Sequence, residues 1–280
     1  MGCAEPQLSS LNRNLFVTSA RCGPDRLSGG FLGAREGIER VFHIGVVGHT
    51  IEGAADFVRG IATYGQRAMS EYQHPEFSLN CVPMGESLDA MRRGDLDEVR
   101  SLLSLSTRRL RAGGADFFAC PDNTAHLALE AYGPDLALPG LHIADVVVHE
   151  AHRLGHDTIG LLGTTWVMDS DMYRRRCEAR GIATLVPEPG DATTLHGIIL
   201  DQLVIGNFSA EARDEVLAII GRLADKGCSA VALACTELSL LVPPAVSPVP
   251  MLNSTRLLAQ AAVDTAVGRQ PLPDWRGGHD

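Results

Sequence analysis

From residue 42 onward the chain alternates short, continuously apolar runs with longer stretches in which apolar and polar positions mix at helical spacing. The order is "FHIGVVG", "EGAADFVRGIATYGQRAM", "FSLNCVP", "DLDEVRSLLSLSTRRLRAGG" and "ADFFACP". Runs that stay apolar at every position suit strands covered on both faces, and strands that alternate with helices suit parallel sheets. The pattern predicts an α/β fold. Residues 1–40 lack this rhythm. They are rich in Ser, Gly, Arg and Asn, and are expected to form an N-terminal extension with at most a short lead-in helix over "GAREGIERVF".

The alternation then begins again. "HIGVVGHT" at 43–50 matches "TIGLLGTT" at 158–165, and "GADFFACPD" at 114–122 matches "GCSAVALAC" at 227–235. Gly45 and Gly160 lie 115 residues apart, and Gly114 and Gly227 lie 113 apart, so two separate matches share nearly one period. That is the mark of an internal duplication. It predicts two pseudosymmetric lobes, each a parallel sheet flanked by helices, with an active site in the cleft between them. The first lobe is expected over 41–142 plus 253–270, the second over 143–252. The duplication superposes Asp122 on Cys235: each stands eight residues after its glycine, where an apolar run gives way to a helix. Ligands of open α/β sheets gather at the carboxyl ends of the strands. Two facing lobes would then set these side chains on opposite walls, an arrangement for acting on both faces of one carbon.

Composition narrows the partners. A chain of 280 residues, 45% hydrophobic, has enough material for a large core. Its net charge of -10 argues against nucleic acid or an anionic membrane as the main partner. No apolar run reaches the roughly 18 residues of a membrane span, and "MGCAEPQLSSLNRNLF" has no apolar secretion core; a cytoplasmic protein is expected. The seven cysteines are scattered, with no C-x-x-C and no zinc spacing, so neither a disulfide framework nor a metal is expected. Arginine supplies 23 of the 24 basic side chains, and the single lysine is Lys226. Pyridoxal phosphate is held by a lysine Schiff base, and Lys226 falls just before a strand, at its far end from the cleft. The expected chemistry therefore uses no cofactor. No G-x-x-x-x-G-K-[ST] phosphate loop occurs either.

Asp122 leads into Asn123 and Thr124, and Cys235 into Thr236 and Glu237. Such residues at a helix start serve either as caps or as ligands for an anion; their recurrence in register favours binding. A carboxylate held there would place its α-carbon between Asp122 and Cys235. At neutral pH the free groups are a carboxylate and a thiol, that is, a base and an acid, and burial in a closed cleft is expected to raise Asp122 and strengthen it as a base.

These stretches resemble the aspartate/glutamate (Asp/Glu/hydantoin) racemase superfamily over about residues 42–265. The resemblance rests on "IGVVG", on "GADFFACPDNTAH" against the family's Pro-Cys-Asn-Thr-Ala-His, on "GLLGTTWVMDSDMY", and on "ALACTELSLL" against its Gly-Cys-Thr-Glu-Leu. Glu237 after Cys-Thr is similar to the aspartate racemase branch. The resemblance implies a cofactor-independent, dimeric enzyme with two reactive thiols, the first of which is here Asp122 and the second Cys235. It also implies carboxylate contacts from Asn123, Thr124 and Thr236, with Thr164 and its neighbour Thr165 opening the second lobe's loop. A basic contact is implied at Arg175. The first loop, "GHTIEGAADF", brings His49 and Thr50 toward the cleft in place of the family's Gly-Gly-Met-Gly-Pro. "NCVPMGESLDAM", taken as the loop after the second strand, lacks the arginine with which the aspartate-specific branch holds a second carboxylate. His126 and Cys120 are expected to be structural. The leading expectation is a racemase or epimerase of an amino acid or related carboxylate; the alternatives are a decarboxylase or lyase protonating through Cys235, and a non-catalytic carboxylate-binding relative.

Overall fold

The computed structural model of the protein describes residues 40–278. The expected N-terminal extension and its lead-in helix lie, but for Arg40 to Phe42, outside the described residues. The first lobe runs β1 (Ile44–Gly48), α1 (Ile51–Ala68), β2 (Phe77–Cys81), α2 (Met84–Arg93), α3 (Leu96–Ala112), β3 (Phe117–Ala119), α4 (Asn123–Leu129) and β4 (Gly140–Leu141). The second runs α5 (Ile143–Arg153), β5 (Thr158–Gly163), α6 (Thr165–Met168), α7 (Met172–Glu178), β6 (Ala183–Leu185), α8 (Pro189–Asp201), α9 (Ala210–Asp225), β7 (Ala230–Ala234), α10 (Leu238–Leu241) and β8 (Met251–Asn253). A last helix, α11 (Ser254–Ala266), crosses back to pack on α1.

The sheets are ordered β2-β1-β3-β4 and β6-β5-β7-β8, with every pairing parallel. The duplicated sequence therefore folds to a duplicated topology, with β1 matching β5 and β3 matching β7. β1, β3 and β7 are buried at every position, which is why they read as unbroken apolar runs. Gly114 and Gly227 end the helices before β3 and β7 at φ +91 and +95, a left-handed turn that favours glycine and is needed identically in both lobes.

Local chemistry sets the helix starts that face the cleft. Thr50 caps α1 by accepting from the Gly53 N–H, Asp122 caps α4 by accepting from Ala125, and Thr164 caps α6 by accepting from Val167. Along α1 the buried positions Gly53, Ala54, Phe57, Gly60 and Ile61 recur at helical spacing. A Cβ on Gly60 would come within 2.7 Å of Ala259 Cβ, so glycine there permits the close approach of α1 and α11. Phe57 and Ile61, fully buried against Leu258 and Ala262, each stabilise this contact by roughly 2 kcal/mol.

Two elements depart from the expected pattern. The stretch taken as a loop, "NCVPMGESLDAM", ends β2 and then forms α2, whose Ser87, Ala90 and Met91 are buried. The chain after α11 also returns to the first lobe: Trp275 packs on Phe118 and stacks on His126, and its carbonyl accepts from the Gly140 N–H.

Candidate active site

The carboxyl ends of β1, β3, β5 and β7 converge on one narrow cavity, with about 30 Å³ open to the centres of water molecules. His49 and Thr50 enter from β1, Asp122, Asn123 and Thr124 from β3, Thr164 from β5, and Cys235, Thr236 and Glu237 from β7. Asp122 and Cys235 thus stand on the walls of one cavity, each just past the corresponding strand of its sheet.

On the first wall, Asp122 is 8% exposed and both its oxygens are engaged. Oδ1 accepts from the Ala125 N–H at 2.9 Å, and Oδ2 lies 2.5 Å from His49 Nδ1. His49 Nε2 lies 2.5 Å from Ser87 Oγ, whose hydroxyl donates to the Met84 carbonyl at 2.9 Å. Since the serine hydrogen goes to Met84, Nε2 must be the donor toward Ser87, and one further proton sits between His49 Nδ1 and Asp122 Oδ2. Burial alone would lower His49, but the Asp122 charge, the hydrogen bond to it and the charge of Glu237 outweigh this and leave His49 raised. Burial likewise pushes Asp122 upward, and His49, the Ala125 N–H and His126 outweigh it, so its carboxyl is held below the ordinary range. The expectation that burial would raise Asp122 is therefore corrected: the desolvation is real, but a cation sits beside the carboxylate.

On the second wall, Cys235 donates to Glu237 Oε2 at 3.2 Å, and Thr236 donates to the same oxygen at 2.7 Å. Burial, then the Glu237 charge and hydrogen bond, push the thiol well above its ordinary value, against the Glu237 and Leu238 N–H groups, which pull it down. Glu237 Oε1 is buried with no hydrogen-bond partner among the described residues.

Asn123 spans the lobes. Its Nδ2 donates to Ser254 Oγ at 3.0 Å, and its Oδ1 accepts from the fully buried Tyr173 hydroxyl at 2.6 Å. Ser254 in turn donates to the Leu233 carbonyl. Thr124 and Thr164 hydroxyls meet at 3.1 Å across the cleft. A Cβ on Gly53 would lie 2.7 Å from Thr236 Oγ1, so the first turn of α1 rests directly against the second wall.

Two expected site residues lie elsewhere. Arg175 is not among the cavity's lining residues; its Nη2 reaches Glu130 Oε1 at 2.5 Å, because Glu130 is 3% exposed at the end of α4 and draws cations, Arg176 at 2.6 Å among them. Thr165 also turns away, its N–H and hydroxyl both meeting His196 Nδ1. His126 is fully buried, with Nδ1 donating to the Asp122 carbonyl and Nε2 accepting from Ile143. Cys120 is buried in the first lobe's core and does not line the cavity. Lys226 lies at the surface beside Glu188.

Sequence reading missed Ser87 and most of the apolar lining: Met84, Leu88 and Met91 from α2, Trp166 from α6, and Ile199 and Leu200 from α8. A signal for α2 existed, since Met84, Leu88 and Met91 keep i, i+4, i+7 spacing and Gly94 follows two arginines at φ +74 as a C-terminal stop. Among the described residues, no group of three or more His, Cys, Asp or Glu side chains is arranged to hold a metal ion, and no helix is long and apolar enough to cross a membrane.

Comparison with known proteins agrees with this architecture. The sequence matches the model of the Asp/Glu/Hydantoin racemase family over residues 44–262. The chain belongs to that family. As a racemase-type isomerase it is 23% identical over 220 residues to the broad-specificity amino-acid racemase RacX of Bacillus subtilis, covering 76% of this chain and 93% of RacX. Among solved structures, a Yersinia pestis protein described as a candidate Asp/Glu racemase is 29% identical, with TM-score 0.70, covering 81% of this chain and 99% of that one. An aspartate racemase homologue from Pyrococcus horikoshii shares the two-lobed fold at 24% identity and TM-score 0.66, over 80% of this chain and 98% of its own.

Proposed function

We propose that the protein is a cofactor-independent racemase or epimerase of an amino acid or related carboxylate, with Asp122 working on one face of the α-carbon and Cys235 on the other. The observation that carries this reading is that the two side chains end equivalent strands, β3 and β7, and line one cavity from opposite lobes. The Thr50 hydroxyl, the hydrogen left over by the Thr124–Thr164 pair and the remaining amide hydrogen of Asn123 border the same space and would hold the substrate carboxylate, while the Thr236 hydroxyl is committed to Glu237.

In the forward step Asp122 takes the α-proton. The Cα–H pair becomes an enediolate delocalised into the carboxylate, whose charge the surrounding donors stabilise. The Cys235 S–H proton then forms a new Cα–H bond on the opposite face, leaving a thiolate and a protonated Asp122, and proton exchange with solvent restores the pair. His49 keeps Asp122 ionised and ready to accept at neutral pH, while burial and Glu237 keep Cys235 a thiol, ready to donate. Lys226 lies outside the cavity, which fits chemistry without a lysine Schiff base.

Incubation of amino acids with the enzyme in heavy water, followed by proton NMR and chiral chromatography, tests the reading. α-Deuterium with inversion is expected, and both vanish in Asp122→Asn. Release of carbon dioxide with deuterium in the product would indicate the decarboxylase alternative, and inversion at full rate in Asp122→Asn would rule out the two-sided mechanism.

A further inference from the structure

Resting on the racemase reading above, we infer that the substrate is an α-amino acid with an apolar side chain, its ammonium group received by Glu237 and its side chain lodged against α2, α6 and α8. Three independent features of the cavity point there. Beyond its ring of hydroxyls, the wall is built of Met84, Leu88, Met91, Trp166, Ile199 and Val204. A side-chain carboxylate set against such a wall loses its water and gains no partner.

The second feature is the distribution of cations. Among the described residues no Arg or Lys lines the cavity. Its one basic group, His49, has Nδ1 on Asp122 and Nε2 on Ser87, and Arg175 is turned to Glu130. Nothing basic is left for a second acidic group on the substrate.

The third is Glu237 Oε1. Glu237 is 2% exposed on the cavity wall, Oε2 already accepts from Cys235 and Thr236, and Oε1 has no partner among the described residues. A buried, unpartnered acceptor beside the reacting carbon suits a donor carried in by the substrate. An α-ammonium group supplies one, and a 2-hydroxy acid or plain carboxylate supplies at most a weaker one. Met84 and Met91 are unbranched and re-pack readily, so a narrow cavity lined by them adapts to aliphatic side chains of several sizes.

The test is a panel of L-alanine, L-valine, L-leucine, L-methionine, L-aspartate, L-glutamate and L-arginine, incubated separately with the enzyme in heavy water and scored for α-deuterium. The aliphatic members should exceed aspartate and glutamate in kcat/KM by at least about 100-fold, the penalty for an unpaired buried carboxylate. Exchange of aspartate or glutamate as fast as leucine overturns this inference and leaves the racemase reading standing; no exchange of any of the seven overturns both. Leu88→Arg, which sets a cation on the apolar wall and is checked for folding by circular dichroism, should reverse the preference toward the acidic amino acids. An unchanged preference in a folded Leu88→Arg protein also counts against the assigned wall. Glu237→Gln should raise KM for leucine more than it lowers kcat, and equal exchange of 2-hydroxy-4-methylpentanoate and leucine by the unaltered enzyme overturns the ammonium assignment.

Discussion

The residues that follow β3 and β7 occupy the same place in their lobes, but they sit in opposite electrical surroundings. Asp122 faces a cation, His49, and is held ionised; Cys235 faces an anion, Glu237, and is held protonated. Both groups are buried, and burial raises both. The partner decides which effect prevails: at Asp122 it outweighs desolvation, and at Cys235 it adds to it. A duplicated backbone thus carries an unlike pair, a carboxyl held below its ordinary range on the first wall and a thiol held above its own on the second.

The comparison is broken most severely by removing either of the two groups proposed to carry the proton. Asp122→Asn and Cys235→Ser should each lower the rate of inversion by roughly 10³-fold or more, within the range ascribed to positioned acids and bases, as measured by chiral chromatography. A smaller loss for one than for the other would show which proton transfer limits turnover.

The first wall also rests on a second imidazole, His126, with no counterpart at Cys235 among the described residues. His126 holds the Asp122 carbonyl, and burial, joined by the nearby His142, keeps it down to about 3 from an ordinary 6.5. The unfolded chain therefore takes up a proton that the folded chain refuses, and stability falls as pH drops from 6.5 toward 3. Between pH 7 and 4.5 this amounts to about 3 kcal/mol at roughly 1.4 kcal/mol per unit. The urea midpoint should fall over that interval, and His126→Gln should flatten the slope. Glu130 does not confuse the measurement: its value is held down to about 2, so its contribution persists above the ordinary 4.5 and is lost only as pH falls further.

Exchanging the partners sharpens the contrast. Without its cation, Asp122 is governed by burial, so in His49→Gln the acid limb of kcat/KM should move to higher pH, with about a 10- to 100-fold loss at neutrality. In Glu237→Gln the thiol loses an anionic neighbour, so its ionisation should move down; the pH dependence of iodoacetamide labelling at Cys235 reads this directly. Ser87→Ala is the mildest change. It leaves His49 Nε2 without its acceptor and should cost only a few-fold in kcat, with little shift in the pH profile.

Much of this contrast was legible in the residues. Continuous apolar runs betrayed β1, β3 and β7, and the paired glycines Gly114 and Gly227 marked one left-handed turn twice. The juxtaposition of Asp122 and Cys235 followed from the repeat. The state of Asp122 did not follow, because its decisive neighbour His49 stands 73 residues away and only the fold brings the ring within 2.5 Å. α2 was obscured because Pro83 precedes it without a side-chain cap, and its Met84, Leu88 and Met91 are interleaved with Glu86, Asp89 and Arg92. Arg175 was misplaced for a different reason: a buried Glu130 at the end of α4 competes for it, and nothing local in "MYRRR" signals which arginine answers.

Asn123, next in sequence to Asp122, ties the first lobe to Tyr173 and Ser254 and through Ser254 to the Leu233 carbonyl. These contacts are expected to couple the unfolding of the two lobes. A single heat-absorption peak is expected, and the amides of β3 and β7 should exchange with solvent in the same rare opening. A half-melted form that retains one wall of the site is not expected: when the Asn123 contacts break, Asp122 and Cys235 should separate in the same event.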